Sequence, residues 1–197
     1  MLRAFHAVAP QADVQIVSDP DRVRRADRVV FPGQGAMPDC MASLARSGLR
    51  DAILEACAAK PFFGICVGEQ MLFDRSEEGD TAGLGVLSGH VVRFTPARGA
   101  VDAQGLALKV PHMGWNKVSW RMPHPVTRGL DHDGWFYFVH SFHAEPTEPS
   151  QILGESDYGL RFTCAVARDN IIATQFHPEK SASAGLKLLS NFVSWNP

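Results

Sequence analysis

The sequence predicts an α/β fold built on a mixed sheet. In the first half, short apolar runs with β-branched residues alternate with longer segments whose apolar residues fall at helical spacing, which is typical of βαβ units with parallel strands. In the second half, strand-like segments follow one another with few helical stretches between them, which favours antiparallel pairing. The length of 197 residues suits one domain, spanning residues 1–197.

The elements of the first half follow from apolar spacing and from breakers. A short helix is expected before Pro10, and a longer helical pattern contains a possible break at Ser47-Gly48. A buried strand runs into the glycine loop that starts at Pro32, and another strand begins at Phe62. In chain order we expect a helix at 1–8, a strand at 14–17, a helical turn at 22–26, a strand at 28–31 and the long helix at 38–59.

The second half is expected to be mostly strands. Asp169-Asn170 is typical of a tight hairpin turn between two apolar runs. The last segment, residues 181–195, has the apolar spacing of an amphipathic helix. The expected strands cover residues 86–94, 117–120, 135–139, 151–156, 162–168 and 171–176.

Composition excludes several kinds of partner and cofactor. The chain has 19 Lys+Arg against 21 Asp+Glu and no basic block, so binding to nucleic acid or to an anionic membrane is not expected. It has neither an apolar run of bilayer length nor a signal-peptide pattern, and we expect it in the cytoplasm. The four cysteines form no CxxC pair or zinc spacing, so we expect no metal and no cofactor, and three of them to be packing residues.

One cysteine stands in a pattern that carries chemistry. Cys66 lies between Gly64 and Gly68, after an apolar strand and before a helix-compatible segment. This is the thiol form of a nucleophile elbow, and the start of the helix favours a thiolate. A lone cysteine among apolar residues is more often a buried small hydrophobe. The two flanking glycines favour the nucleophile.

A catalytic cysteine needs a base and a group that orients this base. Of the eight histidines, His177 follows an apolar strand and is joined through Pro178 to Glu179. A rigid turn of this kind brings an imidazole and a carboxylate together, and the carboxylate would fix the tautomer. On its own, the motif more often describes a turn histidine beside a solvated glutamate.

Taken together, the Gly-Ile-Cys-Val-Gly-Glu-Gln motif at 64–70 and the Gln-Phe-His-Pro-Glu motif at 175–179 resemble those of the class I glutamine amidotransferases. The motifs at 32–35, 111–116 and 137–142 are similar to those of one branch, the glutaminase subunits of imidazole glycerol phosphate synthase. The resemblance covers nearly the whole chain. It implies a flavodoxin-like three-layer fold with a central mixed, mostly parallel sheet.

The resemblance also implies a reaction and a partner. The family releases ammonia from glutamine, and this branch hands the ammonia to a separate (β/α)8-barrel cyclase subunit in a heterodimer of histidine biosynthesis. Cys66 would be the nucleophile, His177 the base and then the acid, and Glu179 the orienting group.

Further site residues are carried over from the family by position. Glutamine would be held by Gln70, Glu78 and Ser141, and the oxyanion by backbone amides around Gly33, Gln34, Gly35 and Val67. The docking face for the cyclase would include Met113, Trp115, Tyr137 and Lys180.

The chain departs from the family at its start and at Phe142, where some members carry Tyr, and other functions remain open. It starts inside what would be the family's first helix, so the resemblance implies that the first, central strand is missing. Glu69 occupies a variable site and is expected to face a partner or solvent. The alternatives are the glutaminase component of anthranilate or aminodeoxychorismate synthase, and a truncated, non-catalytic subunit that binds a partner.

Overall fold

The structure is a computed structural model, and it describes residues 1–97, 99–101, 105 and 107–197. The helices are α1 (Leu2–Val8), α2 (Pro20–Arg25), α3 (Met37–Ser47), α4 (Arg50–Ala59), α5 (Val67–Gln70) and α6 (Ala182–Ser194). The strands are β1 (Val29–Gly33), β2 (Phe62–Cys66), β3 (Arg75–Ser76), β4 (Thr81–Ala82), β5 (Gly89–Arg93), β6 (His112–Trp120), β7 (Asp133–His140), β8 (Phe142–Pro146), β9 (Ile152–Asp157), β10 (Arg161–Arg168) and β11 (Ile171–Thr174).

One mixed sheet connects these strands. Its main path runs β1-β2-β11-β10-β8-β5-β3-β4, and the β6–β7 hairpin joins it through β9, which pairs with both β6 and β10. The pairs β1–β2, β2–β11 and β3–β5 are parallel, and the other pairs are antiparallel. The predicted α/β class with a mixed sheet is therefore confirmed. The expectation of a mostly parallel sheet is wrong, because the short connections of the second half impose antiparallel pairing.

Local signals in the sequence placed most elements correctly. The long helical pattern breaks where predicted, because Gly48 ends α3 in the left-handed conformation, with φ 69°. The turn at Asp169-Asn170 joins β10 to β11, with Arg168 opposite Ile171. The final amphipathic helix is α6.

The predicted strand at 14–17 is wrong. Within the described residues this segment forms no ladder, and β1 pairs only with β2. Although the local pattern is extended and apolar, a strand also needs the backbone of a neighbour. Val29–Gly33 is the first strand of the described chain and lies at an edge of the sheet.

The parallel part of the sheet determines where the site lies. All five residues of β2 are buried, since β1 flanks it on one side and β11 on the other, and this explains why the sequence reads as a continuous apolar run. Parallel neighbours end at the same edge, so the carboxyl ends of β1, β2 and β11 meet there. Ligands of open α/β sheets bind at such edges. Across the described residues, no helix is long and apolar enough to cross a membrane.

Candidate active site

Cys66 lies at a sharp corner between β2 and α5. Its φ of 58° and ψ of −117° are rare for a residue with a side chain. The corner packs against the end of β1 so closely that a Cβ on Gly68 would lie 1.9 Å from the Phe31 carbonyl oxygen. A Cβ on Gly33, which is opposite Cys66 in the β1–β2 register, would lie 2.7 Å from the Gly68 nitrogen. The glycines around the elbow are thus required by main-chain contact, as the sequence pattern suggested.

His177 lies at the start of a tight turn after β11. The following residues Pro178–Lys180 form one 3-10 turn, which places the Glu179 Oε1 3.0 Å from the His177 Nδ1. The His177 N–H donates to the Tyr137 carbonyl on β7 at 2.9 Å. The buried Ser181 hydroxyl donates to the His177 carbonyl at 2.6 Å and accepts the Tyr137 N–H at 3.0 Å. The turn is therefore held by hydrogen bonds to β7.

The charges around His177 favour its protonated form. Burial lowers the pKa of this imidazole, but the hydrogen bond to Glu179 and the charges of Cys66 and Glu179 outweigh it and raise the pKa to about 9. For Glu179, burial raises the pKa, while the hydrogen bond and charge of His177 lower it more strongly, so that the pKa lies below its usual value. The buried His177 Nε2 makes no hydrogen bond within the described residues. A proton on that nitrogen is available for transfer.

The other three cysteines have the character of packing residues. Burial raises the pKa of Cys57 to about 12 and that of Cys164 well above its ordinary value. Burial also raises the pKa of Cys40. A thiol with a raised pKa is a poor nucleophile at neutral pH because the thiolate is the reactive form.

The residues expected to bind glutamine occupy different places around the corner. The Gln70 amide nitrogen donates to the Phe142 carbonyl at 3.2 Å and to the Gln175 Oε1 at 2.8 Å, which leaves its own oxygen as the remaining acceptor. The Glu78 Oε2 accepts the Met37 N–H at 2.8 Å, at the first turn of α3. The half-buried Ser141 lies between β7 and β8.

The loop expected to help form the oxyanion hole continues directly from β1. Its Gln34 and Gly35 are exposed, and Gly35 has a φ of 89°. The Gln34 carbonyl accepts a hydrogen bond from the Cys40 thiol at 3.3 Å. Val67 is buried and is the first residue of α5, where backbone N–H groups have no partner inside the helix.

Sequence analysis missed the role of Gln175. This side chain is fully buried, and its amide nitrogen lies 3.9 Å from the Cys66 sulfur while its oxygen accepts from Gln70. Its position two residues before His177 was the only signal in the sequence.

The expectation for Glu69 was wrong. It lies on α5, all four residues of which are buried, and 0% of its surface is exposed. Neither carboxyl oxygen has a hydrogen-bond partner among the described residues. Burial raises the pKa of this carboxyl well above its usual value, which favours its neutral form. The sequence gives no sign of this, because glutamate is rarely buried without a partner.

The residues expected at the docking face lie together on the β6–β7 hairpin and the adjoining turn. In the antiparallel register, Trp115 is opposite Tyr137, and the Lys180 Nζ lies 5.6 Å from the centre of the Tyr137 ring. Met113 and Trp115 are 61% and 49% exposed. Trp135, which sequence analysis did not select, belongs to the same face and is 53% exposed. Phe136 and Phe138 alternate with these residues and lie in the core.

The family model for class-I glutamine amidotransferases matches residues 5–195. The imidazole glycerol phosphate synthase subunit HisH of Aromatoleum aromaticum is 58% identical to this chain, over 99% of this chain and 92% of the relative. HisH of Nitrosospira multiformis is 54% identical over 99% and 91% of the two chains. HisH of Thiobacillus denitrificans is 56% identical over 99% and 85%.

Solved structures show the same fold. A Thermoplasma acidophilum protein with a provisional assignment to GMP synthase superposes with a TM-score of 0.69 at 21% identity, covering 98% of this chain and 84% of that one. A structure described as a glutamine amidotransferase superposes with a TM-score of 0.68 at 18% identity, covering 97% and 91%. Together with the family match and the close relatives, these findings show that the chain belongs to the class-I glutamine amidotransferases, in the group of HisH proteins.

Proposed function

We propose that Cys66, His177 and Glu179 hydrolyse glutamine to glutamate and ammonia, as the catalytic triad of the glutaminase subunit of imidazole glycerol phosphate synthase. One observation carries this proposal. The corner at Cys66 and the His177–Glu179 turn follow two adjacent parallel strands, β2 and β11, and meet at their carboxyl ends. The Glu179 Oε1 lies 3.0 Å from the His177 Nδ1 there, and Cys66 and Glu179 both raise the pKa of His177.

The charges of the site suit the two halves of the reaction. The Cys66 thiolate attacks the carboxamide carbon, and the oxyanion that forms is stabilised by N–H groups of Val67 and of the loop at 33–35. The His177 imidazolium gives its proton to the departing nitrogen, which leaves as ammonia, and a γ-glutamyl thioester remains on Cys66. The neutral imidazole then takes a proton from water, and the resulting hydroxide attacks the thioester. Glutamate departs, and the starting ion pair is restored.

Three polar side chains are proposed to hold the substrate. The Gln70 nitrogen donates both of its hydrogens within the protein. Its oxygen is the end of the amide that remains to accept a hydrogen bond from the glutamine. The Glu78 carboxylate suits the substrate ammonium, and the Ser141 hydroxyl can donate to the carboxylate. A zwitterion needs these opposite kinds of partner at its two ends.

The proposed partner is a (β/α)8-barrel cyclase subunit, which would bind at the exposed face of the β6–β7 hairpin and use the ammonia to make imidazole glycerol phosphate. Exposed large apolar side chains on one side of a hairpin are typical of an interface core. The Tyr137 backbone also holds the His177 turn, so the face and the triad share one strand. We propose that the whole chain acts as one glutaminase domain in this heterodimer, in the cytoplasm.

The test is the glutamine-dependent and ammonia-dependent reaction of the complex with its cyclase partner. Cys66→Ala should abolish glutamine hydrolysis and leave the ammonia-dependent reaction of the partner intact. Cys57→Ala removes a buried thiol from α4 and should retain glutamine hydrolysis. Persistent glutaminase activity in the Cys66→Ala complex would end the proposal. Copurification with a chorismate-binding subunit instead of the barrel would end the partner assignment.

A further inference from the structure

Three buried histidines lie beside the proposed active site and take no part in the chemistry described above. They are His112 on β6, His140 on β7 and His143 on β8, and each is at most 5% exposed. They pack around Phe94, whose ring centre lies 5.4 Å from that of His140 and 5.3 Å from that of His143. Packing alone would not require imidazoles at these positions, so their hydrogen bonds matter.

The hydrogen bonds of two of these histidines form a chain with one direction. The His140 Nδ1 lies 2.8 Å from the Phe142 carbonyl oxygen, which can only accept, so Nδ1 carries the hydrogen. Burial, with a smaller contribution from the neighbouring His112, lowers the pKa of His140 to about 3, and its Nε2 is therefore an acceptor. The His112 Nδ1 lies 2.8 Å from that Nε2 and must be the donor.

The outer end of the chain agrees with this direction. Burial lowers the pKa of His112 to about 4, so this ring is neutral as well and its Nε2 accepts. The Asn116 amide nitrogen lies 3.4 Å from that Nε2 and donates its other hydrogen to the Asp157 carbonyl at 2.8 Å. Both histidines thus have a single tautomer that satisfies their neighbours.

The inner end of this hydrogen-bond chain reaches the nucleophile. The Phe142 carbonyl that accepts from His140 also accepts from the Gln70 nitrogen, at 3.2 Å. Gln70 donates its second hydrogen to the Gln175 oxygen at 2.8 Å, and this leaves the Gln175 nitrogen 3.9 Å from the Cys66 sulfur. The Phe142 carbonyl therefore determines which end of the Gln70 amide is the nitrogen, and the Gln70 nitrogen determines which end of the Gln175 amide is the oxygen.

The Phe142 carbonyl is the point where the two halves of the chain join. His140 and Phe142 flank Ser141, one of the residues proposed to hold glutamine, and the His140 ring bonds across it. Without that bond, the corner between β7 and β8 loses the contact that fixes its carbonyl toward Gln70. The carbonyl would then keep the Gln70 nitrogen as its donor but not the orientation that the His140 bond imposes, so the two amides could take other orientations.

We infer that His112 and His140 are positioning residues for glutamine hydrolysis, because the chain His112–His140–Phe142 carbonyl–Gln70–Gln175 fixes both amide side chains beside Cys66. The inference deepens the proposed function and rests on it. Neither histidine touches the substrate, so its effect is indirect. His143 provides a matched comparison, since it is equally buried but its nearest hydrogen-bonding contact is the Ala144 carbonyl at 3.4 Å.

Nitrogen NMR of the full chain, labelled with ¹⁵N histidine, tests the chain of bonds without any activity. At pH 6, His112 and His140 should both be neutral and carry their hydrogen on Nδ1. An Nε2–H tautomer at either ring, or an imidazolium at that pH, would overturn the inference. This result does not depend on whether glutamine is the substrate.

Kinetics of the complex with its cyclase partner test the consequence. His140→Phe keeps a ring but cannot donate to Phe142, and we expect kcat/KM for glutamine to fall about tenfold, the size of one hydrogen bond near the upper end of the usual range. His140→Asn places an N–H near the position of Nδ1 and should recover most of this loss. His143→Phe should behave as wild type. The ammonia-dependent reaction should be unchanged in all three.

Two outcomes would contradict the inference: equal losses in His140→Phe and His143→Phe, or an Asn variant as impaired as the Phe variant. His112→Phe provides a second variant if His140→Phe fails to fold, and it should show a smaller loss in the same direction. Failure of the proposed function looks different, because the wild-type complex would then not hydrolyse glutamine or Cys66→Ala would remain active.

Discussion

The two sides of the candidate site are held in place by different forces. Cys66 is fixed by steric contact: β1 and α5 approach until only glycine fits at positions 33 and 68, and the backbone takes a rare conformation at the cysteine itself. His177 is fixed by hydrogen bonds: its own N–H and carbonyl, together with the Ser181 hydroxyl, are tied to the Tyr137 backbone on β7. The nucleophile therefore has little freedom to move, whereas the base depends on a strand that also carries the proposed docking face.

This difference implies that the position of the nucleophile is rigid and that the position of the base can adjust. The energy of steric repulsion rises steeply with small displacements, and it does not depend on pH or on a bound partner. Hydrogen bonds to β7 can lengthen or shorten when a partner subunit binds to that strand. Enlarging a glycine at the Cys66 corner should therefore damage the fold itself, and removing a hydrogen bond of the His177 turn should reduce activity at a smaller cost in stability.

Gly68→Ala should have the largest effect, because it disrupts the steric contact that fixes the Cys66 corner. The new Cβ would lie 1.9 Å from the Phe31 carbonyl oxygen, so β1 or the elbow must move. We expect a loss of about 3 kcal/mol or more in the free energy of unfolding, measured by denaturant titration. In Gly48→Ala, the Cβ meets no atom within 4 Å but φ is 69°, so the cost should be about 1–2 kcal/mol with glutaminase activity retained. Equal losses in the two variants would refute the steric account.

Ser181→Ala should have an intermediate effect and weakens the hydrogen-bonded side. It leaves the Tyr137 N–H without its buried acceptor, whereas the His177 carbonyl still accepts the Lys180 N–H. The unpaired N–H should cost about 1–3 kcal/mol of stability. The glutaminase kcat of the complex should fall as the turn loosens. Ser194→Ala removes an exposed hydroxyl in α6 that, among the described residues, bonds to backbone carbonyls of its own helix alone. This variant should match wild type in both measurements. A Ser181→Ala complex with wild-type kcat would show that the turn does not need this bond.

Glu69→Gln should have the smallest effect at low pH and a growing effect at high pH. The pKa of Glu69 is raised in the folded state, whereas in the unfolded chain it is about 4.3. Folding therefore takes up a proton between these two values, and wild-type stability falls as pH rises through that window, by up to about 1.4 kcal/mol per pH unit. The stability advantage of Glu69→Gln should widen from pH 5 to pH 8, and Glu69→Met should show the same trend. A difference that is constant with pH would mean that Glu69 is charged in the folded protein.

The sequence revealed the parts of the site that depend on neighbouring residues in the chain. Gly64, Cys66 and Gly68 lie close together in the chain, and so do His177 and Glu179, so a short motif was sufficient to select them. The tie between Ser181 and Tyr137 spans 44 residues, and the contact of Gln175 with Cys66 spans 109. Such contacts depend on which strands become neighbours, and no local pattern contains that information.

The dependence on distant contacts also explains the errors in the predicted fold. Residues 14–17 have a local pattern typical of a strand, but a ladder needs a second backbone, and the described chain provides none at that place. The burial of Glu69 depends on how a four-residue helix packs at the corner. By contrast, β2 is buried between two parallel neighbours, and its apolar run identified it from the sequence alone.

Labelling with an electrophilic glutamine analogue, followed by peptide mapping, tests the central claim most directly. In the complex with the cyclase partner, one thiol of the four should be modified, that of Cys66, because Cys40, Cys57 and Cys164 have raised pKa values. Glutamine in excess should protect it, and His177→Asn should slow its labelling. Modification of another cysteine at a comparable rate, or undiminished glutamine hydrolysis after Cys66 is fully labelled, would contradict the account.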